Sequence, residues 1–251
     1  MRSVIALAVC AWLGASAAQA ADKLIIGTEA GFAPFAFVDG SGQVVGLEVD
    51  MGNAICKRAD LECEWNNVPW DGLFTGLDAG KFDAVIAGVT ITEERKKRLD
   101  FSAPYFTDAF SVVAPKGSGI VASHEGLKNV VVGTLTGTAV SGFMKEHWPD
   151  VERRDYPSWD EAWVDLTAGR VDTILGYKSQ MVTTYLSKPE NSAKYEIVGD
   201  LDDPDFPPPQ FGIAFSKDSH PYMSKIDEAL ASLKADKTLD GIIEKYLPGQ
   251  K

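Results

Sequence analysis

Apolar residues along this chain fall into two alternating kinds of segment: short continuous runs rich in β-branched side chains, and stretches where they recur every three or four positions. Lys23–Thr28 is a run of the first kind and predicts a strand with a continuous apolar core. Glu29–Pro34, rich in turn residues, is read as a loop, and Phe35–Asp39 with Gln43–Glu48 predicts a hairpin around Asp39-Gly-Ser-Gly42. Asp50–Ala59 reads as a helix, Glu62–Asn66 as a strand, and Trp70–Ala79 as a helix closed by Gly80. Asp83–Ala87 predicts a buried strand ended by Gly88. Beyond it Thr92 stands at an N-cap position, with Glu93 and Glu94 in the first turn. Asn129–Gly133 predicts another strand and Val140–Trp148 another helix. The chain ends in amphipathic helices over Tyr222–Lys234 and Leu239–Tyr246. Such alternation builds a mostly parallel sheet covered by helices on both faces, the α/β class.

The pattern repeats. Leu77-Asp-Ala-Gly-Lys-Phe-Asp-Ala-Val-Ile86 and Leu166-Thr-Ala-Gly-Arg-Val-Asp-Thr-Ile-Leu175 match in residue type at nearly every place, at an offset of 89 residues (77 to 166). Each reads as a helix end, a glycine cap and a buried strand, which predicts two α/β lobes on one plan. The offset sets Gly88 against Tyr177, both just past the carboxyl end of a strand, where open α/β sheets bind ligands. Ser111–Pro115 and Gln210–Phe215 are extended segments on either side of the second copy and are expected to be the two crossings between lobes. Asp202–Pro209, with four prolines, is a stiff loop before the second crossing. The expected division is 21–109 for the first part of lobe 1, 110–210 for lobe 2 and 211–251 for the return to lobe 1.

Composition narrows the class of function. Met1-Arg2-Ser3, the apolar run Val4–Leu13 and Ala18-Gln19-Ala20 form the pattern of a signal peptide over residues 1–20, with cleavage near Ala20/Ala21. The apolar run is short for a bilayer span, and Cys10 lies inside it rather than at the cleavage point, which argues against a lipid anchor. An exported, soluble, periplasmic chain is expected. Lys+Arg number 24 against Asp+Glu 36, a formal charge of −12, which argues against nucleic acid and anionic membrane surfaces as partners. Cys56 and Cys63 flank the polar end of a helix leading into a strand. In an oxidising compartment a disulfide is the expected state, closing a short loop for roughly 2–3 kcal/mol. A metal pair is the alternative, but His124, His147 and His220 have no ligand spacing around them, so no metal and no cofactor is expected.

The candidate chemistry sits at the corner Asp83-Ala-Val-Ile-Ala-Gly-Val-Thr-Ile-Thr-Glu-Glu-Arg95. A strand that hands over to a helix start leaves backbone N–H groups unpaired at one point. Thr90 adds a hydroxyl there, and Arg95 a planar fork of donors that fits a carboxylate, unless it is one more surface cation in a charged turn. Thr134-Leu-Thr-Gly-Thr-Ala139, between a strand and a helix start, offers a second anion corner in the other lobe. Gly40, Gly42 and Gly46 miss the dinucleotide fingerprint in spacing and open a hairpin, which excludes that reading.

Gly27-Thr-Glu-Ala-Gly-Phe-Ala-Pro-Phe, Gly46-Leu-Glu-Val-Asp, Ala87-Gly-Val-Thr-Ile-Thr-Glu-Glu-Arg95 and Asp165-Leu-Thr-Ala-Gly-Arg-Val-Asp172 resemble the periplasmic polar-amino-acid-binding proteins of ABC importers, over the length of the mature chain. The relatives in question bind glutamine, histidine, lysine/arginine/ornithine or opines. The resemblance implies the type II periplasmic-binding-protein fold. In it two lobes, each a mixed, mostly parallel sheet flanked by helices, are joined by two hinge crossings, and ligand-driven closure is read by a membrane permease. It implies that Arg95 grips the ligand carboxylate, assisted by the Thr90 hydroxyl and N–H and the Gly88 backbone, with the N–H of Ala139 after Thr138 completing the site. Phe32 and Trp70 fall where aromatic rings sandwich the ligand side chain, unless they are ordinary core aromatics. Glu29 and Glu48 fall where acids can face a ligand cation, Glu48 equally reading as a solvated strand residue. The Cys56–Cys63 spacing is similar to a disulfide of some members.

One departure stands out. Where many relatives carry an Asp for the α-ammonium, this chain has Gly176-Tyr177-Lys178. Glu29, the Tyr177 hydroxyl with backbone carbonyls, or a ligand without a free α-amino group are the three ways to meet that. The expected protein is a non-enzymatic, monomeric receptor for an amino-acid-like carboxylate, cationic or N-substituted and opine-like. The alternative on the same fold is a cyclohexadienyl (arogenate) dehydratase with Glu29 as the cleft acid.

Overall fold

The structure, a computed structural model, describes residues 22–217 and 220–249. The leader expected over residues 1–20 lies outside the described residues. The chain opens with β1 (Asp22–Thr28), a small hairpin sheet of β2 (Gly31–Phe32), β3 (Ala36–Val38) and β4 (Val44–Val45), α1 (Leu47–Ala59), β5 (Leu61–Asn67) and α2 (Trp70–Asp78). β6 (Ala84–Val85), α3 (Glu93–Lys96), β7 (Leu99–Phe101) and β8 (Phe106–Thr107) follow. Next come β9 (Phe110–Pro115), α4 (His124–Leu127), β10 (Val132–Leu135), α5 (Ala139–His147), β11 (Arg153–Tyr156), α6 (Trp159–Thr167) and β12 (Thr173–Tyr177). α7 (Lys178–Gln180) runs into a π-helical stretch, Met181–Leu186, ahead of α8 (Pro189–Ser192) and β13 (Tyr195–Asp200). The return is β14 (Gln210–Phe211), β15 (Ala214–Ser216), α9 (Met223–Ala235) and α10 (Thr238–Tyr246).

Two five-stranded sheets result, in the orders β5-β1-β6-β15-β7 and β11-β10-β12-β9-β13. In each the first three strands are parallel and the last two join antiparallel. The sequence repeat is thus a structural one, down to single bonds. Gly80 and Gly169, both at φ 67°, end α2 and α6 in the left-handed region, where a side chain would be strained. The N–H of each returns to the carbonyl three residues back, Leu77 at 3.0 Å and Leu166 at 3.1 Å. Asp83 and Asp172 then each accept a 2.7 Å hydrogen bond from a backbone N–H of a neighbouring segment, Ile25 and Val131. The acid ties the strand entry to its neighbour in both lobes.

Two expectations change. The strand expected over Gln43–Glu48 shortens to β4, because Gly46 turns the chain into a helix. At φ 139° a Cβ there would lie 2.2 Å from the Phe35 carbonyl oxygen. Leu47, Met51 and Ile55 then recur at every fourth position, each at most 1% exposed, in a helix that packs against α9. Burying each such side chain contributes about 1.5–3 kcal/mol. Glu48 is therefore a buried helical residue instead of a solvated strand residue. Ser111–Pro115, expected as a crossing, lies in β9, inside the second sheet between β12 and β13. Its unbroken run of five buried residues from Phe110 is what a strand flanked on both sides requires. The first passage between the sheets runs instead through β8, paired with β14 at the start of the expected second crossing Gln210–Phe215, Thr107 to Gln210 and Phe106 to Phe211. The Cys56–Cys63 disulfide ties the last turn of α1 to β5.

Candidate functional site

Residues just past the carboxyl ends of β1, β6 and β10, together with the last residue of β12, converge on one inter-lobe cavity: Glu29, Gly88, Thr138 and Tyr177. Phe32, Trp70 and Trp159 complete its walls. It holds about 20 Å³, room for one water-sized group. A second chamber of about 460 Å³ shares Glu29, Trp70, Leu135 and Trp159 with it as walls.

Arg95 is set by its own turn. The Thr92 hydroxyl caps α3 by accepting from the Arg95 N–H at 3.1 Å, which fixes where the side chain starts. The guanidinium lies 5.6 Å from the ring centroids of both Trp70 and Phe74, an edge-to-face pair one turn apart on α2. Nη1 donates to the Thr90 carbonyl at 2.8 Å and Nη2 to the Gly137 carbonyl, in the other lobe, at 3.1 Å. No carboxylate among the described residues forms an ion pair with it, and desolvation holds its pKa below the usual arginine range. Arg95 is at the lobe boundary, bonded across it to Gly137, and is not among the residues that line either cavity.

The donors expected around it are largely engaged. The Gly88 N–H donates to Glu48 Oε1 at 2.7 Å, so that group is withdrawn from any ligand. The same oxygen accepts from the Tyr105 hydroxyl, and burial pushes the Glu48 carboxyl up to about 7. Gly88 itself stands at φ 60°, and a Cβ there would lie 2.3 Å from the Phe32 ring. Gly88→Ala is expected to cost about 1–3 kcal/mol from backbone strain and displacement of Phe32, read as a lowered urea midpoint at unchanged m-value. The Thr138 hydroxyl caps α5, donating to the Leu135 carbonyl at 2.7 Å and accepting from Ser141 N–H at 3.4 Å. Tyr177, 4% exposed, sets its hydroxyl 2.9 Å from Thr90 Oγ1 and accepts from the Ala139 N–H. A side-chain hydroxyl thus sits on two of the donors assigned to a ligand carboxylate.

Phe32 turns out to be both core and wall: one face stacks on Phe35 at 4.8 Å, and it meets Tyr177 edge-on at 5.8 Å. The Glu29 carboxyl folds back on the Gly31 N–H, and burial raises its pKa. Trp159, Asp160 and Tyr185 line the chamber and were not singled out from the sequence. A signal was present for two of them: the 89-residue offset carries Trp70 onto Trp159 and Asp71 onto Asp160, and Trp70 and Trp159 both open a helix. Tyr185 lies in the π-helical stretch, whose irregular turn has no readable period.

A profile of the family described as bacterial extracellular solute-binding proteins, family 3, matches residues 24–249. The chain is 31% identical over 231 residues to ABC transporter arginine-binding protein 1 of Escherichia coli (strain K12), covering 92% of this chain and 93% of that one. Among solved structures it is similar to an ancestral arginine-binding protein bound to arginine, with a TM-score of 0.82, 36% identity and coverage of 91% and 100%. It is also similar to an ancestral amino-acid-binding protein described as a precursor of cyclohexadienyl dehydratase, with a TM-score of 0.76, 31% identity and coverage of 89% and 95%. A match from the first strand through the last helix, on the same two-lobe frame, makes this chain a member of the bacterial extracellular solute-binding proteins, family 3.

Proposed function

We propose that the protein is a periplasmic receptor that holds the carboxylate of a cationic, amino-acid-like ligand at Arg95 and presents the closed complex to an ABC permease. Supporting this most directly is the Arg95 guanidinium, held between two rings across the lobe boundary without a carboxylate counter-ion among the described residues. Lobe 1 takes in residues 21–109 and 211–251, lobe 2 residues 110–210, the leader over 1–20 is removed on export, and the receptor acts as a monomer. In the open shell Arg95, Thr90 and Trp70 of the first lobe capture the ligand. Closure brings up Ala139, Thr138 and Tyr177 of the second and expels water, which strengthens every charged hydrogen bond. Relatives named for arginine support a cationic ligand, with Phe32 and Trp70 against its side chain and Glu29 facing its charge. Calorimetric titration with L-arginine, L-lysine, L-histidine, L-glutamine and octopine tests the reading. A cationic compound is expected to bind, and binding of acidic compounds alone removes it.

Ligand and Tyr177 hydroxyl compete for Thr90 and the Ala139 N–H, so part of the binding energy goes into parting them. Tyr177→Phe is expected to raise apparent affinity about 3- to 10-fold, since a hydrogen bond of this kind is worth about 0.5–1.5 kcal/mol. A fall in affinity would instead make the hydroxyl a ligand donor.

The similarity to a dehydratase precursor motivates one further test. Glu29 is the cleft carboxyl with a raised pKa, but it is turned onto the Gly31 N–H. We expect the purified protein to leave prephenate and arogenate unconverted, followed by ultraviolet absorbance of the aromatic product.

A further inference from the structure

From Tyr177 to Thr184 the chain ends β12, runs through α7 and enters the π-helical stretch, and it meets the first lobe at three points. The Tyr177 hydroxyl reaches Thr90, Gln180 Nε2 donates to the Gly31 carbonyl at 3.5 Å, and the Thr184 hydroxyl donates to the Ala33 carbonyl at 2.8 Å. Gln180 and Thr184 are four residues apart, and so on one face of a helical turn. Gln180, Thr184 and Ala33 line neither the cavity nor the chamber, so the bond from Thr184 to Ala33 is made outside the ligand site. Both sides of that contact are braced. The Lys178 N–H donates to the Ala109 carbonyl at 2.9 Å and the Ser179 N–H to Asp108 Oδ1 at 3.3 Å, which ties the start of α7 to the passage between β8 and β9. In the first lobe the Leu47 N–H donates to the Pro34 carbonyl at 3.0 Å and the Glu48 N–H to the Phe35 carbonyl at 2.9 Å, seating the turn after Ala33 on the start of α1. π-Helical turns are rare and concentrate at functional sites, and this one stands where the second lobe grips the first.

We propose that Gln180 and Thr184 form a latch that draws the lobes together independently of any ligand, so that the resting protein populates the closed form and admits ligand when the latch releases. Thr184 supplies the firm bond. Gln180, fully buried and with Oε1 unpartnered among the described residues, supplies the second and longer one. Each joins protein to protein, so it favours closure whatever the cavity holds. The ligand competes with the Tyr177 hydroxyl at Thr90, whereas the bond from Thr184 to Ala33 persists in every closed form. Opening the shell parts it. The latch goes beyond the carboxylate reading at Arg95 and stands if that reading falls. Removing one neutral hydrogen bond of this kind lowers the ratio of closed to open molecules about 3- to 10-fold.

The test is small-angle X-ray scattering of the full mature chain, freed of bound solute by unfolding in guanidinium chloride and refolding. Wild type is expected to match the curve calculated from the latched structure. Thr184→Val removes the hydroxyl and keeps the shape, so its radius of gyration should rise with the growing open fraction. Thr184→Ser keeps the donor and should stay with wild type. Thr183→Val is the control: the Thr183 hydroxyl donates at 2.7 Å to the Ser179 carbonyl, within the second lobe, so its loss disturbs the same turn without touching the latch. Its radius should not change. If Thr184→Val does not fold, Thr184→Ala, which cannot overpack, takes its place with the same expected result. A wild-type curve more extended than the latched structure overturns the proposal. So does a Thr184→Val radius equal to that of wild type, or equal opening by Thr183→Val, which assigns the effect to the helical turn. No ligand enters any of these measurements, so each outcome leaves the Arg95 reading to its own titrations.

Discussion

Arg95→Ala is expected to weaken ligand binding by about 2–5 kcal/mol, roughly 30-fold to several thousandfold, because it strips the counter-ion from a carboxylate that closure has removed from water. The fold should survive. Arg95 is half-buried at the lobe boundary, its two hydrogen bonds go to carbonyls that water can satisfy, and none of the core side chains packed beneath it is lost. Melting temperature should therefore move by a few degrees at most, while titration heat falls away. Arg95→Lys separates charge from shape: a lysine ammonium keeps the charge but loses the fork, so it should recover only part of the affinity. Binding unchanged in both variants at unchanged melting temperature would place the carboxylate elsewhere.

Glu48→Gln is expected to remove a pH dependence of stability that the cleft corner carries. Burial pushes the Glu48 carboxyl from 4.5 up to about 7, and its Oε2 has no partner among the described residues. The folded state therefore holds this proton more tightly than the unfolded chain. Between about pH 4.5 and pH 7 it binds more protons than the unfolded state, so stability falls as pH rises through that window and stays lower above it. The drop amounts to about 3 kcal/mol at one unit per 1.36 kcal/mol. Glutamine keeps an oxygen for the Gly88 N–H and the Tyr105 hydroxyl, and its N–H2 stands where the protonated carboxyl has its O–H. The variant should match wild type near pH 4.5 and exceed it above pH 7 by several degrees in melting temperature. Parallel melting curves of the two proteins across pH 4.5–8 would dismiss the assignment. Asp108, pushed up to about 6 by burial, adds a slope of the same sign between about pH 4 and pH 6, but that slope is common to both proteins and cancels in their difference.

The two variants touch different halves of one device. Gly88 lines the cavity while its N–H is spent on Glu48, so the corner's backbone is held by a buried acid. Phe32 locks it from the side, which explains why the position tolerates no Cβ. On the proposed reading, rigidity at this point lets the first lobe present Thr90 and Arg95 in a fixed pose before the ligand arrives, so that less ordering entropy is lost on binding.

What the amino-acid order determined by itself is local: the helix-end, glycine and strand joints at Gly80 and Gly169, the caps at Thr92 and Thr138, the alternation that makes an α/β protein, and the positions of Arg95, Thr90, Trp70 and Tyr177 just past strand ends or at helix starts. Each of these depends on hydrogen bonds or apolar spacing within a few residues, which a sequence carries in plain form. Only the tertiary structure decided that β9 is an interior strand and that β8, paired with β14, makes the first passage between the sheets, because a buried strand and an extended connector share one composition. It also decided that Glu48 consumes the Gly88 N–H, that Tyr177 reaches Thr90 across the lobes, and that Trp159 and Asp160 line one chamber with Trp70 and Glu29. Those partners are 40 to 87 residues apart where a hydrogen bond joins them. Their meeting is fixed by how two similar lobes pack about a ribbon, which no period along the chain encodes.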